Sequence, residues 1–105
     1  MPWSILWGTQ LVTIDEELET AKQAQAVISG LSLSSTPDSD VVATLRKAKD
    51  LAAHAISIFP SEAPLNDARN EMVHALYGLI RGPITQENAK GAIGVWTLRL
   101  LGSVK

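Results

Sequence analysis

Apolar residues recur every three or four positions along most of the chain, which is the spacing of one face of an α-helix. The first such stretch follows Thr13-Ile14-Asp15-Glu16, a capping box in which the Thr13 hydroxyl accepts from the N–H of Glu16. Its apolar stripe continues to Gly30, where a left-handed glycine is expected to end the helix. The pattern predicts a first helix from about Thr13 to Gly30.

The next two stretches predict a pair of helices joined by a short connection at 61–64. The second helix starts near Pro37 or Ser39 and stops before Pro60, and the third runs from about Leu65 to Gly82. Small residues occupy the seam of the second helix and allow a close neighbour: Ala48, Ala52 and Ala55. The sequence therefore predicts an antiparallel hairpin at the centre of the domain.

A fourth helix opens with Thr85 as its N-cap and is apolar around most of its circumference. Its apolar positions are Ala92, Ile93, Val95, Trp96, Leu98, Leu100 and Leu101. We expect mainly Lys90, Thr97 and Arg99 to face solvent. A helix this apolar has to be covered on more than one side, and four helices alone do not easily do this.

Two segments lack a helical pattern. Residues 1–12 form an apolar arm that holds two of the three tryptophans, Trp3 and Trp7, and residues 31–39 form a serine-rich linker. The whole pattern predicts a single domain over residues 1–105. We expect an all-α fold, a small four-helix domain with a central antiparallel hairpin and an apolar N-terminal arm.

Composition changes this picture by pointing to a second chain. With 46% hydrophobic and only 19% charged residues, so small a domain has more apolar side chains than its surface normally carries. The net charge is -2 and the basic residues are spread along the sequence, so we expect no direct nucleic-acid partner. The chain has no cysteine, no signal-peptide pattern and no apolar run of about 20 residues, which predicts a cytoplasmic protein without a membrane anchor.

The sequence offers little chemistry for catalysis. His54 and His74 fall on neighbouring predicted helices, but no third ligand stands at a diagnostic spacing, and we expect no metal and no cofactor. The serines lie in no nucleophile elbow. Gly91 and Gly94 resemble part of a phosphate loop, yet they sit within a helix and lack the following lysine, which favours a close helix contact instead. We therefore expect a protein that is not an enzyme, with a small enzyme as a distant third alternative.

In size, acidity and helical content, the chain resembles the small bacterial antiactivators that bind LuxR-type quorum-sensing regulators and block their dimerisation or DNA binding. Segments such as 45–52 (LRKAKDLA) and 71–76 (EMVHAL) are also similar to helical pairs in short bacterial proteins without known activity. The resemblance covers residues 41–79 in pattern, contains no diagnostic motif and transfers no functional residue. It implies a regulatory protein whose partner is a transcriptional regulator.

Two functions of different classes stay open. The first is a regulatory protein that binds and inhibits another protein through apolar anchors, for which we select Trp3, Trp7, Trp96 and Leu100. The second is a self-associating scaffold subunit, most simply a twofold homodimer with Leu98 and Leu101 in its interface. A helix-turn-helix protein is a weaker alternative, because the fourth helix has no basic cluster to hold phosphates.

Overall fold

The computed structural model describes residues 5–7, 10–31, 38–82 and 84–103, with the backbone alone at 5–7 and 10–12. Over these residues it has four helices: α1 (Ile14–Gly30), α2 (Ser39–Ile58), α3 (Ala63–Arg81) and α4 (Gln86–Ser103). Two short strands, β1 (Ile5–Trp7) and β2 (Gln10–Val12), precede them. The fold is all-α, as the periodicity predicts.

The helix ends follow from capping side chains. The backbone N–H of Glu16 donates to the Thr13 hydroxyl at 3.0 Å, and the N–H of Asn88 donates to the Thr85 hydroxyl at 3.1 Å. At the start of α2, Asp38 accepts from the N–H of Val41 at 2.9 Å. These bonds satisfy donors that have no partner inside a helix. Both threonine caps are confirmed where the sequence predicts them.

Two glycines behave differently at the ends of their helices. Gly82 ends α3 with φ 151°, a conformation that favours glycine, and its N–H donates to the carbonyl of Gly78 at 2.6 Å. Gly30 is the last residue of α1, and its backbone does not have a positive φ. The left-handed ending predicted for Gly30 is therefore wrong, because the extended residue Leu31 caps α1 instead.

Each helix packs against its two neighbours in a closed ring, in the order α1, α2, α3, α4 and back to α1. The order of contacts between α2 and α3 is that of helices running in opposite directions. Phe59, just after α2, lies near Arg69 early in α3, while Lys49 in mid-α2 lies on Tyr77 late in α3. In this ring α1 and α3 face each other across the centre.

The core combines buried alanines from every helix with larger side chains, and α2 contributes three of these alanines. Ala48, Ala52 and Ala55 are fully buried. They share the core with Leu45, Met72, Leu76, Ile93, Trp96 and Leu100, which are fully buried as well. Since alanine takes little room, a buried alanine seam allows a neighbouring helix backbone to approach closely.

The arm predicted over residues 1–12 contains a pair of short strands that the sequence pattern does not predict. Strands β1 and β2 pair antiparallel, with Ile5 opposite Val12 and Trp7 opposite Gln10, and β2 lies beside α2. Residues 32–37 of the predicted linker lie outside the described part of the chain. Among the helices described, none combines the length and the apolar character that crossing a membrane requires.

Candidate protein-binding surface on the fourth helix

The fourth helix turns one side towards the bundle and leaves the other uncovered. Its buried side chains are Ala89, Ala92, Ile93, Trp96, Thr97 and Leu100. On the opposite side, Leu98 is 69% exposed, Leu101 47% and Val95 38%. Because residues three and four apart lie on one side of a helix, these three side chains form a single stripe.

A buried polar cluster of Glu17, Arg69 and Trp96 fixes the inward side of α4. All three side chains are fully buried. Arg69 donates from Nε to Oε2 and from Nη2 to Oε1 of Glu17, both at 2.8 Å, and the indole Nε1 of Trp96 donates to Oε2 at 2.8 Å. A two-pronged arginine–carboxylate pair fixes orientation as well as distance. The cluster therefore joins α1, α3 and α4 across the centre of the bundle.

Further contacts help to satisfy the guanidinium of Arg69. Its Nη1 donates to the side-chain carbonyl of Asn66 at 3.1 Å, and its Cζ lies 5.7 Å from the centre of the Phe59 ring. A buried ion pair compensates for its lost hydration only when its remaining protons also find acceptors. Since the cluster is sealed from solvent, it holds the fold together and has no access for a substrate.

The uncovered side of α4 combines exposed apolar side chains with glycines. We call it the α4 outer face, and it consists of Gly91, Gly94, Val95, Leu98, Leu101 and Gly102. A Cβ atom built on Gly91 meets nothing within 4 Å, and one built on Gly94 meets only the amide nitrogen of Gln25, at 4.0 Å. Each mid-helix glycine costs about 1 kcal/mol relative to alanine. The described fold therefore gives no internal packing reason for glycine at these two positions.

A groove of about 840 Å³ between α3 and α4 borders the outer face, and its exposed lining is more apolar than polar. Acidic side chains from both helices line it, namely Asp67, Glu71 and Glu87, together with His74. Gly91 and Val95 belong both to this groove and to the outer face. An apolar stripe with charged side chains at its edge is the usual composition of a protein-binding surface.

The structure corrects the selection of Trp96 and Leu100 as partner-binding anchors. Both side chains are fully buried among the chain's own helices, so a partner has no access to either one. Their apolar character is explained by the core. Thr97, predicted to face solvent, is also buried, and its hydroxyl donates to the carbonyl of Ile93 at 2.8 Å.

The other selected residues have different outcomes. Leu98 and Leu101, predicted in a dimer interface, are exposed on the outer face, where a second chain has access to them. Trp3 lies outside the described residues, and Trp7 is described only as backbone in β1. The contacts of both indoles stay a prediction.

The two histidines do not come together as ligands. His54 is half-buried on α2, and His74 is exposed on α3 within the acidic groove. Among the residues that the structure describes, no three histidine, aspartate or glutamate side chains are grouped to hold a metal ion.

The sequence prediction missed Glu17 and Arg69 as core residues. Glu17 stands in the first turn of α1, where acidic residues favour the helix dipole. It lies three residues after Ile14 and one turn before Ala21, so it also falls on the apolar stripe. Arg69 lies on the corresponding stripe of α3, one turn after Leu65 and three residues before Met72. Opposite charges on the apolar stripes of two helices were the signal for a buried ion pair.

Comparison of the chain with protein-family models, with curated proteins and with solved structures finds no match in any of the three.

Proposed function

We propose that this chain is a non-enzymatic regulatory protein that acts in the cytoplasm by binding another protein through the α4 outer face. The observation that supports the proposal is the exposure of Leu98 and Leu101 beside two glycines. The space above Gly91 is open, and a Cβ on Gly94 would meet only the Gln25 amide nitrogen, at 4.0 Å. A partner helix laid along this face covers both leucines and approaches the α4 backbone closely at Gly91 and Gly94. The partner class is a transcriptional regulator that the contact inhibits, as in the antiactivators that the chain resembles.

Such a contact depends on apolar burial at one or two anchors. Leu98→Glu places a charge at the centre of the contact, and we expect it to weaken binding by about tenfold or more. Ala53→Glu adds the same charge at an exposed position on α2 and serves as the matched control. The measurement is an affinity titration against the purified partner, first identified by affinity capture with the wild-type chain.

The same titration separates this proposal from a helix-turn-helix function. Affinity based on apolar burial changes little with salt, whereas six to ten phosphate contacts cost about 10³–10⁵ in affinity between about 50 and 200 mM salt. Equal binding by Leu98→Glu and the wild-type chain, with a steep salt dependence, contradicts the proposal. Alanine variants of Trp3 and Trp7 test the predicted anchors of the arm in a separate series.

A homodimer is the second candidate, and the order of residues on α4 favours it. Gly94 follows Gly91 at a spacing of three residues, and Leu101 follows Leu98 at the same spacing. In an antiparallel pair of α4 helices, the register that sets Leu98 over Gly94 of the partner subunit therefore also sets Leu101 over Gly91. Twofold symmetry repeats both contacts, so one face supplies both the large and the small residues.

The expected homodimer is weak. Helix α4 has 18 residues and is about 27 Å long, and one such helix pair falls at the low end of specific interfaces, below about 1,200 Å². Sedimentation over a range of concentrations tests it, with Leu98→Glu expected to be monomeric and Ala53→Glu expected to match the wild type. A wild-type chain that stays monomeric throughout eliminates the homodimer and leaves the face to a different protein.

A further inference from the structure

A basic pocket on the far side of the hairpin is separate from the α4 outer face. It lies between α2 and α3, has a volume of about 310 Å³, and is lined by Arg46, Lys49, Asp50, Tyr77, Ile80 and Arg81. Three of the nine basic residues of the chain meet here beside one carboxylate, although the whole chain carries a net charge of -2. The sequence separates Arg81 from the other two cations by 32 residues or more, and only the pairing of α2 with α3 brings them together.

The aromatic ring of Tyr77 contacts two of these cations. The Lys49 Nζ and the Arg81 Cζ each lie 4.9 Å from the centre of the ring, and Tyr77 is 47% exposed. Contact with the ring face holds a cation in position and leaves its N–H groups free for other acceptors. The ring therefore keeps two positive charges beside the same open pocket.

Local carboxylates do not neutralise the pocket. Lys49 pairs with Asp50 at 3.7 Å, but the Asp50 side chain is 69% exposed, and solvent screens a pair of this kind strongly. Among the described residues lining the pocket, Asp50 is the only acidic one. Arg81 also suits the negative end of the α3 dipole, but this does not explain why Arg46 and Lys49 lie next to it.

The geometry points to a binding site for a compact oxyanion, a phosphate or carboxylate group carried by a small ligand. Arginine forks bind such groups through two parallel N–H bonds, and the lysine adds a point charge. Arg46 and Arg81 supply the forks, Lys49 supplies the ammonium, and Ile80 forms an apolar wall. The anion relieves the repulsion between the three cations, which the fold alone leaves in place.

Titration followed by amide chemical shifts tests the site, with inorganic phosphate and citrate as separate probes at constant ionic strength. We expect shifts that saturate and are confined to the pocket residues of α2 and α3. Saturation with phosphate alone assigns the site to phosphate groups, and saturation with citrate alone assigns it to carboxylates. Shifts spread over all the exposed lysines, or no saturation with either probe, overturn the proposal.

Charge-matched variants distinguish binding in the pocket from non-specific attraction of an anion to the basic residues of the surface. Arg46→Gln with Arg81→Gln removes two charges from the pocket, and we expect affinity for the saturating probe to fall by about tenfold or more. Lys22→Gln with Lys90→Gln removes two charges from exposed positions on α1 and α4, and affinity should stay within about twofold of the wild type. Equal losses in the two double variants contradict the site. Since no α4 residue lines the pocket, the Leu98→Glu variant should bind the probe normally, so this test is independent of the proposed protein-binding function.

Discussion

Replacing Glu17 by alanine removes the carboxylate that accepts three buried hydrogen bonds. Arg69 then keeps Asn66 as its hydrogen-bonding side chain, and the indole N–H of Trp96 loses its acceptor. Breaking a buried ion pair from one side costs about 3–5 kcal/mol, because the remaining charge stays buried. A domain of this size has a total stability of about 5–15 kcal/mol, so Glu17→Ala should remove a large fraction of it.

Urea unfolding followed by helical circular dichroism measures this loss. Glu16→Ala is the matched control, since Glu16 stands beside Glu17 in the first turn of α1 but is exposed, and we expect it to cost less than about 1 kcal/mol. Equal midpoints for the two variants would refute the argument, because they would show that the Glu17 carboxylate contributes no more than a surface charge.

A double variant distinguishes the free energy lost with the ion pair from the cost of leaving one charge buried and unpaired. Glu17→Leu with Arg69→Met removes both charges and fills similar volumes with apolar atoms. Such replacements are often neutral, so the double variant should be more stable than either single variant. Relative to the wild type, it should lose about 1–3 kcal/mol for the buried Trp96 N–H that no longer has an acceptor. A loss equal to the sum of the two single losses would show that the two side chains do not interact.

Two further predictions concern packing. Ala52 is fully buried, so Ala52→Leu should lower the free energy of unfolding by about 1–3 kcal/mol through overpacking, and an unchanged urea midpoint would place Ala52 at the surface. Gly91→Ala should raise the free energy of unfolding by about 0.5–1 kcal/mol, because the added Cβ meets open space. Gly78→Ala should lower it, since a Cβ there would lie 2.7 Å from the Cβ of Ile84. Opposite signs for the two glycine variants are the test, and equal signs contradict the packing described at Gly78 and Gly91.

The helices were predictable because each one carries both periodic apolar residues and a local signal at one of its ends. Thr13 and Thr85 accept from the first turns of α1 and α4, and Pro60 follows the end of α2 by two residues. Gly82 ends α3 in a conformation that favours glycine. These signals act within a few residues of the chain, so the sequence alone contains them.

The orientation of α4 was not predictable in the same way. Most of its positions are apolar, so the periodicity does not distinguish the side that the bundle covers from the side left open. The Trp96 indole takes the inward position together with Thr97, whereas Leu98 faces out. This choice depends on space and hydrogen-bond acceptors supplied by α1 and α3, which lie far away in the sequence. The clustering of Arg81 with Arg46 and Lys49 depends on helix pairing for the same reason.

The buried cluster connects the stability of the fold to the exposure of the α4 outer face. An apolar helix can bury similar area in several rotations about its axis, so apolar burial alone selects weakly among them. Turning α4 by one residue would move the Trp96 indole away from the Glu17 carboxylate, and that bond spans 2.8 Å between fully buried groups. The bond therefore selects the rotation in which Leu98 and Leu101 stay uncovered. A polar contact in the core thus decides which apolar residues of α4 stay exposed.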